Sequence, residues 1–330
     1  MKTIGPVVLF GELLMRLDTP DHRRFPQSSS FQATFTGGEA NVGVALSQWG
    51  IPAKLVSAVP KHDLGDACLN HFRQYGVSTS EVLRMGERLG LLFVENGTSL
   101  RGSKVIYDRL NTSFRSLQPG QIDWPDVLSD ASWLHVTGTA PACGANVREV
   151  LNEAFAFARE WSVPISFDCA YRSALWSEDE AAAVFPEIVK QVDVLIGSED
   201  DAKRFLGVDA TGEESLHAVR ETYDLRCVTY TERDILPTGV NRYRALAACE
   251  SEVCRSETFE FTVIDRIGSG DALVAGLIRG LLCGHPIGET LDFAAAAAAF
   301  KHSIPGDFLL CSSTEIERLA RGVGIGRVQR

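Results

Sequence analysis

The chain alternates between short apolar runs of strand length and segments whose apolar residues recur every three to four positions. Val7–Phe10 is a short apolar run and reads as a buried first strand. In Glu39–Trp49, residues Val42, Ala45, Leu46 and Trp49 fall at i, i+3, i+4 and i+7, one face of a helix that Gly50 and Pro52 stop. Lys54–Val59 reads as the next strand, and Leu69 and Phe72 mark a helix ending near Gly76. Trp133–Val136 is strand-like, after which Val147, Val150, Leu151, Ala154, Phe155 and Ala158 trace a long amphipathic helix. Val163–Phe167, Val192–Ile196 and Cys227–Tyr230 are further strand-length runs separated by helical patterns. Repeated βα units of this kind predict an α/β fold with a mostly parallel central sheet covered by helices on both faces.

Two stretches break the alternation. Leu13–Phe35 and Leu89–Leu117 carry polar, irregular or period-two patterns without a long helix. In Lys104–Arg109, Val105, Tyr107 and Arg109 share one strand face, and Lys104, Ile106 and Asp108 share the other. These stretches predict strands of a small accessory sheet beside the main domain. No repeat or linker divides the chain, so a single domain is expected over residues 1–330, with the accessory strands from about 13–35 and 89–117 inserted in it.

Composition narrows the function classes. The 330 residues are 45% hydrophobic and 23% charged, ordinary for a globular chain, with a formal net charge of −11. That balance argues against nucleic-acid partners and against a polybasic membrane surface. An anionic ligand then needs a local cationic pocket. No run approaches the ~18 apolar residues of a membrane span, and Val7–Phe10 lacks the flanks of an export signal, so a cytoplasmic location is expected. The eight cysteines show no CxxC spacing and predict reduced, buried thiols without a zinc site or disulfides.

Asp265-Arg-Ile-Gly-Ser-Gly-Asp271 is the most informative segment. A strand-like run, Phe259–Ile264, enters it, and a helix from about Asp271 to Cys283, apolar on nearly all sides, leaves it. Glycines before a buried helix let a ligand approach unpaired first-turn amides, and the helix dipole adds an anion site suited to a phosphoryl group. Asp271 there could take a proton from an attacking hydroxyl. Read from this segment alone, it serves equally as a helix cap. Gly97–Lys104 has the wrong residues and frame for a P-loop, and Gly322–Gly326 precedes no helix.

With this turn in view, the whole chain resembles the ribokinase-like (PfkB) carbohydrate kinases, and within them the 2-keto-3-deoxygluconate kinases. Gly11-Glu-Leu13 opens the resemblance, and Thr36-Gly-Gly-Glu-Ala-Asn-Val42 is similar to the first glycine signature. Lys104–Arg109 looks like a Tyr-x-Arg strand, and Asp168-Cys-Ala-Tyr-Arg172 with Leu175-Trp176 like an Asp-x-Asn-Tyr-Arg…Leu-Trp segment. Asp265–Asp271 looks like the second signature, while Lys301–Phe308 and Gly326–Arg330 resemble the end of one 2-keto-3-deoxygluconate kinase branch. The resemblance implies Asp271 as catalytic base and Gly268, Ser269 and Gly270 as the anion hole. It implies substrate contacts at Gly37, Gly38, Tyr107, Arg109, Arg172 and Asp307. Nucleotide-side positions fall at Ser198, Thr229, Gly268 and Gly270. It also implies ATP with Mg²⁺, Asp201 as a candidate water-mediated magnesium contact, room for a monovalent cation, and a lid that pairs subunits. Thr36, Leu92, Ala170, Asp201 and Ala295 depart from residues usual in the family; Ala170 and Leu92 bear on substrate choice.

The implied product is 6-phospho-2-keto-3-deoxygluconate. A sugar carboxylate calls for arginine, whose planar fork matches it. On pattern alone, Arg109 reads as a solvated strand face, Arg172 equally as a surface ion pair, and His302 as a partner of a helix C-terminus. The rival readings are a neutral-sugar kinase (fructose, ribose) or nucleoside kinase on the same fold, and a non-catalytic sugar-acid or nucleotide sensor. A dinucleotide oxidoreductase ranks behind both, because no strand–GxGxxG–helix unit exists.

Overall fold

A computed structural model describes residues 4–98, 101–236, 239–249 and 252–323. Gly326–Arg330, one carrier of the resemblance, lies outside the described residues. The strands are β1 (Val7–Phe10), β2 (Leu14–Asp18), β3 (Gln32–Thr36), β4 (Ala53–Val59), β5 (Ser78–Arg84), β6 (Gly90–Glu95) and β7 (Lys104–Asp108). They continue with β8 (Trp133–Thr137), β9 (Ile165–Asp168), β10 (Val194–Gly197), β11 (Cys227–Ile235), β12 (Asn241–Cys249), β13 (Glu252–Arg255) and β14 (Phe259–Phe261). Ten of them form one sheet in the order β13-β12-β11-β10-β9-β8-β1-β4-β5, with β14 pairing β12. All pairs from β11 to β5 are parallel, and β12 turns the far edge antiparallel. The expected mostly parallel, doubly covered sheet is present, antiparallel only at its β12 edge.

The covering helices follow from where apolar residues fall. Helix Ala145–Glu160 buries Val147, Val150, Leu151, Ala154, Phe155 and Ala158, the stripe read from spacing, against one sheet face. On the other face, helices Gly38–Gln48, Ser269–Cys283 and Ile287–Lys301 share a second core. Ser269–Cys283 and Ile287–Lys301 pack so closely that a Cβ on Gly276 would press into the backbone of Ala294. Burial on nearly all sides fixes the Ser269–Cys283 axis, and with it the direction of its N-terminus.

The lid is a separate four-stranded sheet, β3-β2-β6-β7, drawn from the two stretches that broke the alternation. No helix among the described residues is long and apolar enough to cross a membrane.

Two expectations need correction. Cys227 and Cys249 are directly opposed on β11 and β12, with Cα atoms 4.5 Å apart, and are joined as a disulfide. The partner strand was not recognisable, so neither was the pairing. Cys283 is exposed and Cys254 half-buried, while Cys68, Cys143, Cys169 and Cys311 are the buried thiols expected. In addition, the strand read as Cys227–Tyr230 runs on to Ile235 and returns as β12.

Candidate active site

The C-terminal ends of β8, β9, β10 and β11, the lid and the Asp265–Asp271 turn enclose a cleft of about 560 Å³. That is the location and size expected for a small-molecule site on an open α/β sheet. Every candidate site residue named above lines this cleft except Thr229. Thr229 is fully buried within β11 (0% exposed), and Thr231, two residues further along the strand, faces the cleft instead. The Thr229 side chain is thus enclosed within β11 and does not reach the cleft.

The helix begins at Ser269, two residues before the expected start, and Gly268 is its N-cap at φ +85°. A Cβ at Gly268 would run into the carbonyl of Asp307, so both the left-handed backbone and the close approach demand glycine. The amides of Gly270 and Asp271 have no hydrogen-bond partner among the described residues, and the side of Gly270 is open space. These are the free donors of a first helical turn. Asp271 is the third helical residue, and the capping reading falls away. Its Oδ2 accepts from Asn41 Nδ2 at 2.6 Å, with no backbone amide among its partners.

Asn41 stands on the helix that follows Gly37 and Gly38, so the first glycine signature delivers both open backbone and the group that orients Asp271. Burial pushes the Asp271 carboxyl up to about 6, against the pull of Asn41, Arg172 and Lys301. Asp168, at the end of β9, is likewise pushed up to about 7 by burial and by the charge of Asp271, with Arg172 opposing. Glu39 is buried and raised to about 7; it accepts from the Thr137 amide and hydroxyl, each at 2.8 Å. Asp271 and Asp168 both line the cleft, and carboxyls perturbed by burial in a cleft are the kind of group that functional sites gather.

On the lid side, Arg109 is no solvated residue: it is 6% exposed and paired with Glu12, Nε to Oε2 at 2.6 Å. Thr112 also donates to Glu12, which supplies the countercharge that lets the guanidinium be buried. Arg109 lies 5.8 Å from the Tyr107 ring centroid. Arg172 is exposed, and among the described residues it donates only to the Tyr171 carbonyl, at 2.9 Å. The carboxylate of Asp307 is engaged on both oxygens, by Arg16 and Thr36, so it braces the site. His302 is buried at the end of helix Ile287–Lys301, its Nδ1 2.7 Å from the Ala298 carbonyl, as expected of a helix-end partner.

On the opposite side, Ser198 caps helix Glu199–Phe205, accepting from the Asp201 amide at 3.1 Å and donating to Asp201 Oδ2 at 2.7 Å. Arg233 and Arg266, which pattern reading missed, line the cleft beside the glycine turn without a carboxylate partner among the described residues. Arg233 Nη2 is 3.4 Å from the Ser269 hydroxyl. Their sequence signal was a basic residue at each end of a strand–turn unit, too common to single out.

No group of three or more acidic, histidine or cysteine side chains among the described residues is arranged to hold a metal. Magnesium on a nucleotide needs less, one or two carboxylates with phosphates and water completing the shell. Asp201, cleft-lining and raised by burial, fits that requirement.

Comparison with known proteins agrees with this geometry. Residues 6–308 match the model of the pfkB family carbohydrate kinases. The chain is 31% identical to a 2-dehydro-3-deoxygalactonokinase of Haloferax volcanii, over 97% of this chain and 98% of that one. It is 26% identical to a 5-dehydro-2-deoxygluconokinase of Bacillus subtilis, over 95% of each. Among solved structures, 2-dehydro-3-deoxygluconokinase of Thermotoga maritima superposes with a TM-score of 0.94 at 37% identity, covering 97% of this chain and 99% of that one. The expected ribokinase-like architecture and the kinase reading are both met, and the chain belongs to the pfkB family of carbohydrate kinases.

Proposed function

We propose that the protein is a cytoplasmic, ATP-dependent sugar-acid kinase that converts 2-keto-3-deoxygluconate to 6-phospho-2-keto-3-deoxygluconate. One observation carries this reading: the free Gly270 and Asp271 amides, the Asp271 carboxylate and several arginines converge on one cleft. The sugar-acid kinases named among its relatives support the substrate class.

Asp271, oriented by Asn41, takes the proton of the primary hydroxyl as that oxygen bonds to the γ-phosphorus and the bond to the bridging oxygen breaks, with ADP as leaving group. The free amides of Gly270 and Asp271 hold the phosphoryl oxygens where negative charge concentrates. Arg233 and Arg266 flank the phosphate chain. Asp201 would hold magnesium through water, and the metal would supply charge neutralisation on the nucleotide. Arg109 has Nη1 uncommitted to Glu12 and, with Tyr107 and Arg172, receives the sugar carboxylate and hydroxyls. Gly37 and Gly38 let the sugar approach the backbone.

The lid supports a homo-oligomer. Ala33, Leu17, Phe93 and Ile106 align in register across all four lid strands, on the face turned away from the cleft. Ile106 is 45% exposed and nearby Phe31 is 42% exposed, an apolar row suited to a second copy of the same sheet.

A coupled assay of ADP release tests the function. The panel is 2-keto-3-deoxygluconate, its galactonate epimer, fructose, ribose and a nucleoside, in potassium or choline buffer. The expected result is the highest kcat/KM for 2-keto-3-deoxygluconate. Preference for a neutral sugar overturns the substrate, and nucleotide binding without turnover on any member supports a sensor instead.

A further inference from the structure

One charged side chain of the lid is buried without lining the cleft. Arg16, in the middle of β2, is 1% exposed. Its guanidinium meets three carboxylates. Asp18, on the same strand, accepts from Nε at 2.8 Å and from Nη2 at 2.6 Å. Asp265 accepts from Nη2 at 3.1 Å, and Asp307 accepts from Nη1.

The two more distant carboxylates belong to the loops that shape the phosphate site. Asp265 Oδ1 accepts from the Ile267 amide and Oδ2 from the Gly306 amide, each at 3.0 Å, which clasps one loop to the other. The Asp307 carbonyl lies against Gly268, where no Cβ fits. Its carboxylate reaches the hydroxyl of Thr36 at the end of β3, and that hydroxyl lies 3.1 Å from Asn41 Oδ1. Asn41 in turn holds Asp271. From Arg16, one chain of contacts therefore runs to the anion hole and another to the base. Leu14, on the same strand face two residues earlier, lines the sugar side of the cleft.

We propose that Arg16 is a positioning residue that ties the placement of the lid to the geometry of the phosphate site, so that sugar and nucleotide sense each other through it. A guanidinium suits this task because its fixed fork can bind three carboxylates in defined directions, where an ammonium would be a mobile point charge. Nothing in this role requires contact with either substrate. The inference rests on the reading that sugar binds under the lid and phosphate binds at residues 268–271.

The test measures coupling between sites. Affinity for a non-hydrolysable ATP analogue is determined with and without saturating sugar acid, and kcat and both KM values are taken alongside. Binding couplings of this kind span about 5–150-fold. In the native protein the sugar is expected to tighten nucleotide binding at least fivefold. In Arg16→Lys that factor falls below twofold and kcat drops at least tenfold, while the affinity for each ligand alone stays within about threefold. Thr36→Val removes the Asp307–Asn41 step without stranding a buried charge, and carries the same expectation should Arg16→Lys not fold. A native protein without coupling, or variants that keep all of it, overturn the inference. Failure of the native protein to phosphorylate any sugar overturns the functional reading instead.

Discussion

Replacing Asp271 by asparagine should stabilise the fold while abolishing turnover, and both effects follow from the same burial. Burial moves the Asp271 carboxyl from the ordinary 3.8 to about 6. Two units at about 1.4 kcal/mol each set an upper limit of ~3 kcal/mol for holding the ionised form in the fold. One side of the residue opens on the cleft, where water screens it, so ~1–2 kcal/mol is the working figure. The sign follows from proton binding. Between pH 4 and 6 the folded state holds a proton that the unfolded state has released, so native stability falls as pH rises through that window. The neutral amide of the variant escapes this cost and keeps an oxygen to accept from Asn41. The variant should melt about 1–3 °C above the native protein at pH 7.5, with no difference at pH 4. Loss of a general base should lower kcat by about 10²–10⁴. Thermal melts across pH and the coupled assay read both. A variant less stable than native at pH 7.5, or one with kcat within tenfold of native, refutes the placement of Asp271 as a desolvated base.

The same carboxyl governs the pH profile: kcat/KM should fall tenfold per unit below about pH 6, as the base becomes protonated. In Arg172→Met, the loss of a cation that favours ionised Asp271 and Asp168 should move that limb to higher pH. Arg172 has no carboxylate partner among the described residues, so Arg172→Met should also raise KM for the sugar acid by about 10–150-fold. Its KM for ATP and its melting temperature should hardly change. Gly268→Ala must move the Asp307 carbonyl and adopt a left-handed backbone, costing about 2 kcal/mol or more and nearly all activity; melting and turnover check it. Arg233→Met should raise KM for ATP at least tenfold and leave the sugar KM alone; the reverse pattern would place the arginine on the sugar side.

Local pattern along the chain was enough for the layered α/β fold, the two lid stretches, the stripe of helix 145–160 and the glycine–aspartate turn. Strand and helix periods carried the first three, and glycines where backbone must bend or approach carried the last. Partners distant along the chain set what local pattern could not. Arg109 read as a solvated strand residue until Glu12, 97 positions away, supplied its countercharge. Cys227 and Cys249 became neighbours only when β12 folded back on β11. Thr229 and Thr231 were separated by which of them the packed strand buried and which it left lining the cleft. Asp271 read equally as a cap from its own segment, and only the folded helix, capped by Gly268, and the Asn41 amide 230 residues earlier gave that carboxylate its actual surroundings. Periodicity records which face of an element is buried, whereas the charge, partner and pKa of a buried polar group depend on what tertiary packing brings opposite it.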